Sequence, residues 1–183
     1  MKRVLIRGPL LSISGYGTHT RQVFRWLEKY KNIEITSQIT PWGMTPWLIN
    51  PDLHDGLVGR IIATSAPIEK KFDASFQIQL PNEWDPSIAK HNVGISAVVE
   101  TNICHPQWVE CCNRMSHVVV PSQHIANCLK NTANLVSPLS VIPESFYDCL
   151  SNDEPATNMN LDLNTNFNFL IFGQITGNNP WSD

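Results

Sequence analysis

Residues 14–21 read Ser-Gly-Tyr-Gly-Thr-His-Thr-Arg and combine three features that chemistry uses. Two glycines let backbone N–H groups come close to a ligand. The segment leads into a helical pattern, and a helix N-terminus favours anions. Arg21, about one turn further on, can reach a phosphate. Gly15, Tyr16, Gly17 and Arg21 are therefore candidates for a phosphate- or sugar-holding loop, with Tyr16 and Trp42 as stacking aromatics. An ordinary tight turn before a helix uses the same glycines, and spacing alone gives the two readings roughly equal weight.

A second cluster, Val98-Val99-Glu100-Thr101-Asn102, follows an apolar run. A carboxylate beside two small polar groups at the carboxyl end of a strand is placed to meet a substrate hydroxyl. Glu100 and Thr101 are the candidates. The competing reading makes Glu100 a solvated charge or a cap for the next helix, and position alone leans that way. A third cluster, Cys104-His105 with Cys111, Cys112 and His117, has metal-binding residue types but neither a CxxC pair nor finger spacing. No metal centre is expected, and Cys112 is assigned to the core. A dinucleotide fingerprint fits poorly: Thr20 stands where a third glycine belongs, and no acidic residue closes the second strand at Ile39 or Thr40. The GxSxG, Walker A and HExxH patterns are missing.

Positioning these residues requires alternating strands and helices. Short apolar stretches predict strands at 3–7, 33–36, 72–80, 92–99, 118–120 and 139–142. Between them, Val23, Phe24 and Leu27 have helical spacing within 20–30, and 53–65 is helix-compatible despite Gly56 and Gly59. Pro106 opens a helix whose apolar face carries Trp108, Val109, Cys112 and Met115. Ser122 is the expected N-cap of a helix over 123–129. Repeated β-α units with apolar strands imply an α/β fold: a Rossmann-like, doubly wound, mostly parallel sheet with helices on both faces. Residues 151–166 turn polar and Asn-rich, and 167–172 (FNFLIF) form a new apolar strand. The expected organisation is a domain over 1–150 followed by a linker and the first strand of another domain.

The 183 residues are 42% hydrophobic, which suits one domain with a sizeable core plus an extension. Charged residues make up only 16% and the formal net charge is -3, with no basic stretch. That excludes a nucleic-acid-binding surface from the expectations. The start, MKRVLIRGPL, reads as a first strand rather than a leader, and no apolar run is long enough to span a membrane. Five cysteines, an odd number with two adjacent, fit free thiols and a cytoplasmic setting.

In this order and spacing, the segments RVLIRGPLLSISGYGTHTRQVFRWLEK, FDASFQIQLPNEWDP, GISAVVETNICHPQWVECCNRMSHVVVPSQHIANCL, VIPESFYD and FNFLIFGQITG resemble the N-terminal domain of family 4 retaining GT-B glycosyltransferases. The resemblance implies two Rossmann-like domains with a cleft between them. The first would bind the acceptor and the second most of a nucleotide-sugar donor. Gly15, Tyr16, Gly17 and Arg21 would then line the cleft near the donor phosphates, and Thr101 would contact substrate. Glu100 would orient the acceptor hydroxyl or stabilise an oxocarbenium-like transition state, and no metal or cofactor would be needed.

Two departures stand out. The family's donor-binding basic residue and glutamate belong to a second domain that the 183 residues do not include, and Glu144-Ser145 stand where the family often has glycine. The chain by itself is accordingly expected to be inactive, with 167–172 docking on the first domain, pairing with another copy or disordered. The alternative is a standalone Rossmann-like domain that binds a small molecule or a partner without catalysis.

Overall fold

Among the described residues, β-branched and aliphatic runs bounded by glycine and proline become six strands, and the amphipathic stretches between them become four α-helices. The computed structural model describes residues 1–67, 71–145, 165 and 167–169. In chain order the elements are β1 (Lys2–Gly8), α1 (Gly15–Glu28), β2 (Ile33–Ile39), α2 (Leu53–Ala63), β3 (Phe72–Ile78), β4 (Ala89–Ile95), α3 (Pro106–Cys112), β5 (His117–Val120), α4 (Gln123–Thr132) and β6 (Leu139–Val141). The chain divides into two compact units, Met1–Phe146 and Tyr147–Asp183. All the elements belong to the first.

The strands form one sheet in the order β2-β1-β3-β4-β5-β6, and every pairing is parallel. The fold is thus Rossmann-like α/β. Because all six strands run the same way, their last residues mark one edge of the sheet. The chain first moves from β1 out to β2, then returns past β1 to β3, so the order reverses between β1 and β3. Ligands of open α/β sheets bind outside the carboxyl ends of the strands at such a reversal.

Side-chain alternation divides the core between the two faces. Val4, Ile6, Ile78 and Ile95 pack with Phe24 and Leu27 of α1 and with Leu57, Val58 and Ile61 of α2. Val118 and Val120 pack on the other face with Val109 and Cys112 of α3 and Ile125 and Leu129 of α4. Trp84 closes this second cluster so tightly that a Cβ on Gly94 would lie 2.7 Å from its ring. As expected, Ser122 caps α4, accepting from Ile125 N at 3.3 Å.

Several details differ from the sequence expectation, and three of them have a local reason. The first helix starts at Gly15, not Thr20, because Ser14 Oγ accepts from Gly17 N at 3.0 Å and caps it. The two glycines therefore lie inside the first helical turn, where they are tolerated. The fourth strand spans 89–95 rather than 92–99, since the chain leaves the sheet at Ser96 and Val98 turns left-handed, with φ of 56°. The second helix opens irregularly, with His54, Asp55 and Gly56 at positive φ. Of the polar stretch 151–166 only residue 165 is described, and of the strand expected over 167–172 only 167–169, which are not in a strand. Phe167 and Phe169 are exposed and in edge contact, ring centroids 5.0 Å apart.

Candidate functional site

Tyr16 is the link between the two polar clusters. It sits in the first turn of α1, just beyond the carboxyl end of β1. Its ring stacks on Trp42, with centroids 4.1 Å apart and planes 20° from parallel. Its phenol oxygen lies 2.9 Å from Ser96 Oγ and accepts from Ala97 N at 3.0 Å. Val98 N in turn donates to Ser96 Oγ at 3.1 Å. Either oxygen of the Tyr16–Ser96 pair can be the donor. Burial pushes the Tyr16 phenol above its ordinary pKa, against the lowering by these hydrogen bonds, so the hydroxyl stays protonated at neutral pH.

This latch holds the chain that follows β4. A left-handed β-branched residue costs on the order of 1–3 kcal/mol, so Val98 must be held there by its surroundings. Its N–H is fixed by Ser96, and its side chain is buried with Val109 and Met115. The turn carries Glu100 and Thr101 out to the surface, both exposed. The Glu100 carbonyl lies 3.2 Å from His124 Nε2, and Thr101 Oγ1 donates to Ile103 O at 2.6 Å. Glu100 is thus five residues past the end of its strand rather than at it, on a loop whose root is tied to Tyr16.

The other candidates go in different directions. Gly15 is exposed, and a Cβ there would meet nothing within 4 Å. Gly17 is buried, and its close approach is to protein backbone: a Cβ would stand beside the Ser12 carbonyl oxygen and 2.9 Å from that of Pro9. Arg21 is only 4% exposed. Its Nη1 donates to the carbonyls of Leu10 at 3.0 Å and Ser12 at 2.9 Å, and its Nη2 to Thr18 Oγ1 at 3.2 Å. The guanidinium thereby braces the turn between β1 and α1 from inside.

Several groups at this edge carried no sequence signal. Gln79, just after β3 and 3% exposed, has a buried Oε1 without a hydrogen-bond partner, as does Thr40 Oγ1 after β2. His19 Nδ1 lies 3.1 Å from Glu144 Oε1. That contact would raise the imidazole pKa, but burial outweighs it and holds the value below the usual range. At neutral pH the pair is therefore a neutral imidazole donating to a carboxylate. Because the folded pKa is depressed, the unfolded chain takes up the proton first as the pH falls. Stability is then full above about pH 6.5 and declines below it. His19→Asn should flatten the melting-temperature profile between about pH 6.5 and 5, measured against wild type in the same buffers.

Among the described residues no cluster of His, Cys, Asp or Glu could hold a metal ion, and Cys104, Cys111, Cys112 and Cys128 are free thiols. Burial, followed by neighbouring Cys104 and Cys111, pushes the Cys112 thiol up to about 12, so it packs as an apolar group. No described helix is long and apolar enough to cross a membrane. Comparison with protein-family models, curated proteins and solved structures found no match to this chain.

Proposed function

We propose that this chain is the acceptor-side domain of a GT-B-type retaining glycosyltransferase, which moves a sugar from a nucleotide-sugar donor to an acceptor hydroxyl. One observation carries the reading. An aromatic pair, Tyr16 and Trp42, and an acidic loop bearing Glu100 are tied together at the carboxyl edge of a Rossmann-like sheet. Aromatic faces suit sugar rings, and an exposed carboxylate nearby suits a hydroxyl nucleophile. In this reading Tyr16 and Trp42 form the sugar platform, Glu100 orients the hydroxyl, and Thr101 and the Gly15 surface border the acceptor. The donor's nucleotide is held by a second domain, with no metal.

The burial of Gly17 and Arg21 favours a second reading at one point. Both are engaged with backbone carbonyls of the 9–12 turn rather than offered to a phosphate. A standalone Rossmann-like domain that binds a small molecule without catalysis would need neither. A donor-hydrolysis screen on the whole protein, with a panel of nucleotide sugars, separates the two. The transferase reading expects release of nucleoside diphosphate from at least one donor by the whole protein and none from the 183-residue chain alone, because a half-cleft cannot set the reacting geometry. Silence across the panel, or full turnover by the chain alone, would refute it.

A further inference from the structure

The loop that bears Glu100 and Thr101 runs on to Cys104, and Cys104 is pinned to the last turn of α4. Its N–H donates to Thr132 Oγ1 at 2.8 Å, and its Sγ lies 3.5 Å from the same oxygen. Thr132 donates that hydroxyl to the Cys128 carbonyl, one helical turn earlier, at 2.7 Å. The hydroxyl thereby sets Cys104 beside Cys128, and the two thiols are hydrogen-bonded to one another. Further back along the loop, the Glu100 carbonyl lies 3.2 Å from His124 Nε2, near the start of α4.

The two thiols are chemically unequal. Cys104 is partly exposed, whereas Cys111, Cys112 and Cys128 are buried. Burial, reinforced by Cys104, holds the Cys128 thiol above its ordinary pKa, so it keeps its proton and is a weak nucleophile toward anything in solution. A partner has to be delivered to it, and Cys104 already stands in contact. The other buried thiols are placed differently. Cys111 Sγ accepts from Arg114 Nη2 at 2.9 Å, and Cys112 feels Cys104 without a hydrogen bond to it.

We propose that Cys104 and Cys128 are a redox-responsive pair, which a peroxide converts into a disulfide that ties the Glu100 loop to α4. The Cys104 sulfur attacks one peroxide oxygen. The O–O bond breaks, an S–O bond forms and water leaves. The Cys128 sulfur then attacks the Cys104 sulfur. An S–S bond forms, the S–O bond breaks, and the departing hydroxide takes the Cys128 proton as water. Both thiols are oxidised, the peroxide is reduced to water, and a dithiol reductant reverses the change. Contact with Cys128 favours this route over further oxidation of Cys104, because a partner held in place reacts as if at high local concentration. The inference goes beyond the transferase reading: thiols are counted whether or not the protein turns over, so either idea can fail alone.

Thiol counting on the 183-residue chain tests the pair. Treated with hydrogen peroxide, then denatured and labelled with a maleimide, the chain should lose two of its five reactive thiols, and dithiothreitol should restore them. Peptide mass mapping should place the link between Cys104 and Cys128. Cys104→Ser and Cys128→Ser should each abolish the link, while Cys112→Ser and Cys149→Ser should leave it in place. Cys128 is enclosed in the core, so Cys128→Ala replaces the serine variant should that one lose the circular dichroism of the fold. Oxidised wild type should melt about 5 °C or more above the reduced chain, an increase that Cys104→Ser lacks. The proposal is overturned if no thiols are lost, if Cys104 ends as a sulfinic acid, or if the link runs through Cys111, Cys112 or Cys149. It is equally overturned if the oxidised chain melts no higher than the reduced one, since the bond would then not join groups that the fold already holds together.

Discussion

Gly17→Ala should lower the melting temperature by roughly 6–12 °C. An ideal Cβ at this position would overlap the Ser12 carbonyl oxygen and stand 2.9 Å from that of Pro9. Both obstacles are backbone, so no side chain can swing aside. The Ser12 oxygen also accepts from Arg21 Nη1 at 2.9 Å, and moving it would break that bond inside the core. Overpacking of this kind costs on the order of 3 kcal/mol, and each kcal/mol shifts the transition of a domain this size by about 2–4 °C. Gly15→Ala is the internal control: two residues away, exposed and unobstructed, it should be neutral or slightly stabilising. Thermal unfolding of both variants decides the matter. If Gly17→Ala melts with wild type, the turn is more yielding than its contacts imply. If activity is lost only in proportion to folding, Gly17 is a packing residue and not a ligand cradle.

Glu100→Gln carries the largest expected functional effect. The residue is exposed, and its carboxylate makes no hydrogen bond or ion pair among the described residues. The substitution should therefore leave the melting temperature unchanged. Under the transferase reading it removes a charge positioned for the reacting hydroxyl, and the loss should be about 10²-fold or more in kcat. KM should move far less, because the charge matters mainly in the transition state. Steady-state kinetics on the whole protein, with whichever donor the hydrolysis screen selects, gives the answer. Unchanged turnover would return Glu100 to the role of a solvated surface charge.

Much of the architecture is legible in short apolar strings. Val4-Leu5-Ile6 and Val118-Val119-Val120 could hardly be anything but buried strands, and the spacing of Val109 and Cys112 marks a helix face that does pack into the core, which Met115 joins from the turn beyond the helix. What escapes a reading of the sequence comes from contacts between distant residues. Ala97-Val98-Val99 has strand propensity, yet the Tyr16 phenol, some eighty residues away in sequence, captures Ala97 N and helps turn the chain out of the sheet. Residues 14–21 resemble a flexible phosphate loop because glycine is a breaker. A three-residue reach from Ser14 to Gly17 N makes the segment a capped helix start instead. Arg21 illustrates the same limit. A cation near a helix start suggests an anion, and only the folded turn shows its guanidinium spent on the carbonyls of Leu10 and Ser12.

The position of β1 in the sheet order has a consequence for how the chain is made. Its neighbour β2 follows closely, but its other side pairs with β3, whose Asp73 accepts from Arg3 N across 70 residues of sequence. A ribosome adding roughly 5–20 residues per second needs several seconds to supply that partner. For that interval Val4-Leu5-Ile6 emerges with one hydrogen-bonding side vacant, which is the condition in which an apolar strand recruits copies of itself. Slow translation through residues 30–80 should thus reduce the yield of native protein and enlarge the share bound by nascent-chain chaperones. The same chain refolded from denaturant at low concentration, where β3 is present from the outset, should escape the loss.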